Sequence, residues 1–259
     1  MLVCALLFHA ATNVLNDYFD FERGVDQSYP FEGSSGVLTR GLLSPREVFA
    51  GGCALFGLGV TLGMILVYVR GLPMLALGTI GLIGGYLYSG GPKGYKYLAL
   101  GDVFVFVLMG PLMVFGSYFA LTANYGSGVA LWASLPVGAL VAAILVANNH
   151  RDATHDAAVG VKTLATMLGF KASKVEYCLL VLSAYLGVIL MVLVGILSSW
   201  SLLVFITVPL ALANLRTIQE SRKGREEQLA KIVLRTAQLH LLFGSLLVLG
   251  VILGVLAQP

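Results

Sequence analysis

The residues best suited to chemistry sit near the end of the first apolar stretch. Asn13, Asn16, Asp17 and Asp20 are spaced i, i+3, i+4 and i+7, and Asp26 follows within the run Asn16–Asp26, NDYFDFERGVD. On a helix this spacing sets two carboxamides and two carboxylates on one face. Neighbouring carboxylates repel one another and hold protons more tightly unless a cation lies between them. An all-oxygen donor set suits a hard divalent ion, and Mg2+ is typically held by one or two carboxylates together with substrate phosphates. The alternative is a helix end that emerges into water with a solvated acidic turn.

A second cluster weighs against that alternative. In the run Asn148–Asp156, NNHRDATHD, the residues Asn149, Asp152 and Asp156 fall at i, i+3 and i+7 and again share a helical face. Asp17 and Asp152 stand 135 positions apart, which fits a degenerate repeat of two four-helix halves. Two such clusters on one side of a bundle suit a diphosphate bridged by metal ions, which spread the charge of the departing phosphate oxygens. Arg151 and Lys162 beside the second cluster, Lys93 and Lys96 in a middle loop, and Arg40 and Arg46 in the first loop can complete the clamp. Taken singly, each of these except Arg151 and Lys162 is better read as a residue that sets membrane topology.

The elements that must position these groups are membrane helices. Of 259 residues, 58% are hydrophobic and 11% charged, against about 25% charged in a soluble domain. Apolar blocks of the length needed to cross a bilayer recur at 2–21, 47–69, 72–90, 101–122, 128–149, 174–197, 200–219 and 233–256. These blocks predict an all-α, polytopic transmembrane helix bundle forming one domain over 1–259. With eight spans, 15 of the 16 basic residues fall on one side, all but Arg70, and so do the 13 acidic residues. That side is expected to be cytoplasmic, with the chain multi-pass in the inner or plasma membrane. The same parity places Met1 outside with no basic residue ahead of it, and we expect one further helix at the N-terminal side. A net charge of +3 with its Lys and Arg scattered among acids excludes a nucleic-acid surface. Cys4, Cys53 and Cys178 lie in apolar blocks without CxxC spacing and read as small buried hydrophobes.

The residues carry a resemblance. Asn-Asp-x-x-Asp followed by Asp-x-x-x-Asp, both at the cytoplasmic ends of membrane helices, resembles the UbiA-type intramembrane prenyltransferase family. Gly41–Pro45 (GLLSP), Tyr88–Pro92 (YSGGP), Leu100–Asp102, Gly110-Pro111 and Asn148–Leu164 are similar to the branch that prenylates 1,4-dihydroxy-2-naphthoate in the menaquinone pathway. The resemblance implies a nine-helix bundle with a central cavity, of which eight spans are present here. It also implies Mg2+-assisted ionisation of a polyprenyl diphosphate and electrophilic attack on an aromatic acceptor. By motif position, Asn13, Asn16, Asp17, Asp20, Asn149, Asp152 and Asp156 would hold Mg2+ and diphosphate, and Asp26 would support the first cluster. Asn16 and the four aspartates would be the metal ligands, and Arg40, Lys93, Arg151 and Lys162 would contact the diphosphate. Two departures stand out: Asp102 lies where the branch often has Glu, and Gly36 where many relatives carry Arg, a contact that Arg40 would supply.

Other acceptors within the same family remain open: 4-hydroxybenzoate, homogentisate, haem or a glycerol-phosphate lipid. A cation-coupled membrane transporter is the rival from another class, since repeats and intramembrane carboxylates suit transport. The position of both clusters at span ends rather than at mid-membrane disfavours it. His9 and His240 read as packing histidines, whereas His150 and His155 flank the second cluster and are placed to orient a carboxylate.

Overall fold

The computed structural model describes residues 1–26, 35–125, 128–222 and 229–257. Of the charged loop residues counted above, Glu32, Lys223, Arg225, Glu226 and Glu227 lie outside them. Among the described residues the regular structure is helical apart from one isolated parallel bridge between Leu98 and Lys162. The α-helices run α1 Leu2–Glu22, α2 Pro45–Arg70, α3 Leu72–Leu87, α4 Gly101–Val107, α5 Met113–Thr122, α6 Gly128–Val159, α7 Leu164–Leu168, α8 Phe170–Leu193, α9 Val208–Glu220 and α10 Ile232–Leu256.

Among the described residues, six helical stretches are long and apolar enough to cross a bilayer: α2, Gly101–Thr122, α6, α8, Ser199–Glu220 and α10. The remaining two expected spans are α3, apolar but only 16 residues long, and α1, whose last third carries the acidic motif. The stretch Gly101–Thr122 joins α4 to α5 through a π-helical turn, Leu108–Leu112, centred on Gly110-Pro111. Proline has no N–H to give the ladder, and a local change of helical pitch absorbs the loss. A Cβ on Gly110 would lie 2.6 Å from Gly138 Cα, so the two backbones touch and no other residue fits there. The span expected at 200–219 opens instead as a 3-10 stretch, Ser199–Thr207, and α6 continues past the expected end at 149 to Val159.

The chain divides into two compact units. The first comprises Met1–Gly101, Gly116–Tyr125 and His155–Thr163. Its core is Ala11, Leu15 and Phe56, with Phe8, Phe19, Leu55 and Leu82 packed around them, where α1 meets α2 and α3. The GLLSP run ends in a helix start: Ser44 Oγ accepts from Glu47 N, Glu47 Oε2 accepts from Ser44 N at 2.7 Å, and Pro45 occupies the first turn. This capping box ties up backbone donors that the helix leaves unpaired.

The second unit comprises Asp102–Phe115, Gly126–Thr154 and Leu164–Pro259. Its core runs along α6, α8, α9 and α10, through Leu140, Val146, Tyr177, Val181, Val188, Leu239 and Phe243. Half of the apolar stretch of α6 is buried inside the chain, against 17% of that of α2. The expectation of buried cysteines holds for Cys4; Cys53 is exposed on the apolar surface of α2, and all three thiols are free.

Candidate active site

In the first unit the spacing read from the sequence falls on α1, so Asn13, Asn16, Asp17 and Asp20 share one face toward its C-terminal end. Asp20 is 4% exposed and saturated with donors. Its Oδ2 accepts from Lys96 Nζ at 2.5 Å and from Asn16 Nδ2 at 3.0 Å, and its Oδ1 accepts from the Tyr97 hydroxyl at 2.5 Å. Lys96 Nζ also donates to Asn16 Oδ1 at 2.8 Å. Lys96 and Tyr97 belong to a short 3-10 turn, Tyr95–Tyr97, that the YSGGP run prepares. Lys96 N donates to Tyr88 O at 2.9 Å, and Gly91 adopts φ +74°, a conformation natural to glycine. Arg23 braces the same turn by donating to Ser89 O and Gly91 O, with its guanidinium over the Tyr97 ring.

This loop has distinctive electrostatics. Burial alone would pull the Lys96 ammonium down, but the Asp20 carboxylate and the flanking phenols of Tyr88 and Tyr97 outweigh it and raise its pKa above the ordinary lysine value. Tyr97 is also raised, first by burial and then by the negative charge of Asp20. Lys96 therefore stays an ammonium and Tyr97 a neutral phenol, and both remain donors to Asp20.

Asp17 is half-buried beside Asp20, and its Oδ2 accepts from Ser35 N at 3.4 Å. Asn13 Nδ2 lies 3.2 Å from His9 Nε2, so His9 orients this carboxamide. Tyr18, Phe19, Phe49 and Tyr86 form an aromatic cluster around the motif, with ring centroids 4.9 to 6.1 Å apart in the Tyr18–Phe49, Tyr18–Phe19 and Phe19–Tyr86 pairs. Asp26 is half-buried in the turn that follows α1, and Lys93 is exposed. Arg40 is exposed with its Nε 3.0 Å from where a Cβ on Gly36 would sit, so its side chain fills the space above that glycine.

The end of α6 belongs to the same unit, which brings part of the second motif to the first. Val25 N donates to Asp20 O at 2.8 Å, and Val25 O lies 2.7 Å from His155 Nε2. A carbonyl only accepts, so His155 carries its proton on Nε2 there. Asp156 is buried next to it, and Lys162, its side chain exposed, accepts from Ala99 N at 2.8 Å through its backbone carbonyl.

In the second unit Arg151 and Asp152 form a bidentate pair: Nε to Oδ1 at 2.5 Å and Nη2 to Oδ2 at 2.7 Å. Arg151 Nη2 donates to Asn148 Oδ1 as well, at 2.9 Å. Arg151 and Asp152 are 7% and 8% exposed, so this charge pair is desolvated. Asn149 Nδ2 donates to Asp102 Oδ1 at 3.0 Å. His150 does not serve a carboxylate as expected: fully buried, it lies 2.6 Å from Ser173 Oγ through one ring nitrogen and 2.9 Å from Ser221 Oγ through the other, and stacks on Phe170.

The model of the UbiA prenyltransferase family matches residues 1–242. The chain belongs to the UbiA prenyltransferase family. It is a membrane enzyme of the prenyltransferase class, multi-pass and all-helical. This UbiA prenyltransferase is 31% identical to the 1,4-dihydroxy-2-naphthoate octaprenyltransferase of Bacillus subtilis, over 98% of the chain and 80% of that relative. It is 35% identical to UbiA prenyltransferase domain-containing protein 1 of Danio rerio, over 98% of the chain and 74% of that protein. A solved structure of digeranylgeranylglyceryl phosphate synthase shares the fold, with a TM-score of 0.59 at 22% identity over 97% of this chain and 83% of its own.

Sequence reasoning placed Lys96 among six candidate cations but gave it no partner, and missed Tyr97 as a hydroxyl donor and Asp102 as a carboxylate acceptor. The signal for Lys96 was present in its loop: a lysine between two tyrosines just after a glycine-rich turn.

Proposed function

We propose that this UbiA prenyltransferase transfers a polyprenyl group from polyprenyl diphosphate to 1,4-dihydroxy-2-naphthoate, with Mg2+, at the cytoplasmic face of the cell membrane. The observation that carries the reaction is the donor set on α1, two carboxylates and two carboxamides on one helical face beside an aromatic cluster. The acceptor is supported by the named relative in Bacillus subtilis.

The residues present fit a hard divalent cation, because the donors on both motifs are oxygens of Asp and Asn, with no thiolate or imidazole among them. Asn16, Asp17, Asp20, Asp152 and Asp156 would hold Mg2+. Neutralising the departing diphosphate is the chemistry that the ion supplies when bound. Asn13, Arg40, Lys93, Arg151 and Lys162 would grip the diphosphate, Asn149 would hold the cation–diphosphate pair beside Asp152, and Asp26 would support the α1 cluster. Lys96 and Arg151 bring positive charge to the two motifs, so Asp20 and Asp152 are already held in place before substrate arrives. The rings of Tyr18, Phe19, Phe49 and Tyr86 keep water from an allylic cation while the acceptor ring attacks it and loses its proton.

The test is product identification by mass spectrometry after offering one polyprenyl diphosphate with several acceptors. Prenylated naphthoate product, formed only with Mg2+ and accompanied by pyrophosphate, is expected. Product formed solely with hydroxybenzoate, homogentisate or a glycerol phosphate would overturn the acceptor.

A further inference from the structure

Asp102 and Asn149 stand 47 positions apart in sequence, yet the Asn149 carboxamide nitrogen lies 3.0 Å from Asp102 Oδ1. Asp102 opens α4, Asn149 lies in α6, and both belong to the second unit. Asp102 is 5% exposed. Its carboxylate has no hydrogen to offer, so the contact selects which end of the carboxamide faces it, and that end is the NH2. The carboxamide oxygen is thereby turned away from Asp102. Nitrogen and oxygen ends of such a group have nearly the same size and flip with little steric cost, so an acceptor-only neighbour is an effective way to fix the orientation. Asn149 sits three residues before Asp152, one helical turn away on the same face of α6.

We propose that Asp102 is a positioning residue, which holds the Asn149 carboxamide so that its oxygen is available to a divalent cation on the Asp152 face. This rests on the reading of the α6 cluster as a cation site. Partners one step removed from a metal ligand typically change metal affinity by about 10- to 100-fold when lost.

The experiment measures Mn2+ binding to the full chain in detergent micelles, with inorganic pyrophosphate present. The free-Mn2+ signal is read by electron paramagnetic resonance, and the folded fraction by thermal melting. Asp102→Asn is expected to weaken Mn2+ binding about tenfold or more, because a second carboxamide leaves the first free to flip. Asp102→Glu keeps an acceptor and restores most of the affinity. The exchange variant D102N/N149D reverses donor and acceptor; it is expected to bind Mn2+ more tightly than N149D alone, which sets two acceptors face to face. The exchange also carries the test if D102N does not fold. Folded D102N with wild-type Mn2+ affinity, or an exchange variant no better than N149D, overturns the proposal. A wild-type chain that neither binds Mn2+ nor releases pyrophosphate would instead overturn the cation-site reading itself.

Discussion

The two acidic motifs are alike as sequence, yet the charges of Asp20 and Asp152 are balanced in opposite ways. Asp20 takes Lys96 and Tyr97 from a loop 76 and 77 positions further on, together with Asn16 from its own helix. Asp152 is paired with the adjacent Arg151. A charge balanced by its neighbour is secured once one helix forms. A charge balanced by a distant loop is secured only when the loop has folded onto that helix. The Asp20 contacts are therefore tied to the packing of the Tyr88–Leu100 loop, whereas the Arg151–Asp152 pair lies within α6.

The largest effect expected is shared by both regions. Asp17→Ala and Asp152→Ala should each lower pyrophosphate release by about 100-fold or more, the scale for losing one preorganised electrostatic contact. Near-normal turnover in either variant would remove that aspartate from the site. The comparison itself is broken or kept by stability. Asp20→Ala removes the shared acceptor of Lys96, Tyr97 and Asn16, leaving the ammonium only its bond to Asn16, and should cost about 3–5 kcal/mol. Asp152→Ala leaves Arg151 its bond to Asn148 and should cost less, about 1–3 kcal/mol. Equal melting shifts for the two variants would contradict the distinction drawn here.

Tyr97→Phe removes one hydrogen bond to a charged oxygen and should cost about 1.5–3 kcal/mol, readable in the melting temperature; no change would show the Tyr97 hydroxyl to be idle. The smallest effect is that of pH. Lys96 and Tyr97 both have raised pKa values in the folded chain. Below the ordinary lysine value of 10.5 the contribution of Lys96 is complete, and it is lost as pH rises through the higher folded value. Above the ordinary tyrosine value of 10.0 the unfolded phenol ionises while folded Tyr97 holds its proton, which favours unfolding. Melting temperature should therefore gain nothing and lose nothing from these two groups until about pH 10, then fall. A decline from these groups at neutral pH, seen in wild type and absent from K96M and Y97F, would contradict the assignment.

Much of the molecule was legible because the bilayer simplifies the problem. Long apolar blocks had to be helices, since a helix pairs all its backbone groups within one segment, and the helices found match the expected blocks. The differences lie at ends, where Gly110-Pro111 is absorbed by a π turn and Ser199–Thr207 winds tightly before α9. Asn13, Asn16, Asp17 and Asp20 were placed correctly by periodicity alone, because they sit within one helix.

What the sequence by itself determined, then, is what is contained within a single element: the membrane helices and the shared faces of α1 and α6. Only the tertiary structure decided that Lys96 rather than exposed Lys93 reaches Asp20, that His155 meets Val25, and that Asp102 holds Asn149. Helical spacing fixes which side chains share a face, whatever the rest of the chain does. Which of several lysines three residues apart meets a carboxylate depends on how a glycine-rich turn directs the chain, and that direction is set by packing across the bundle.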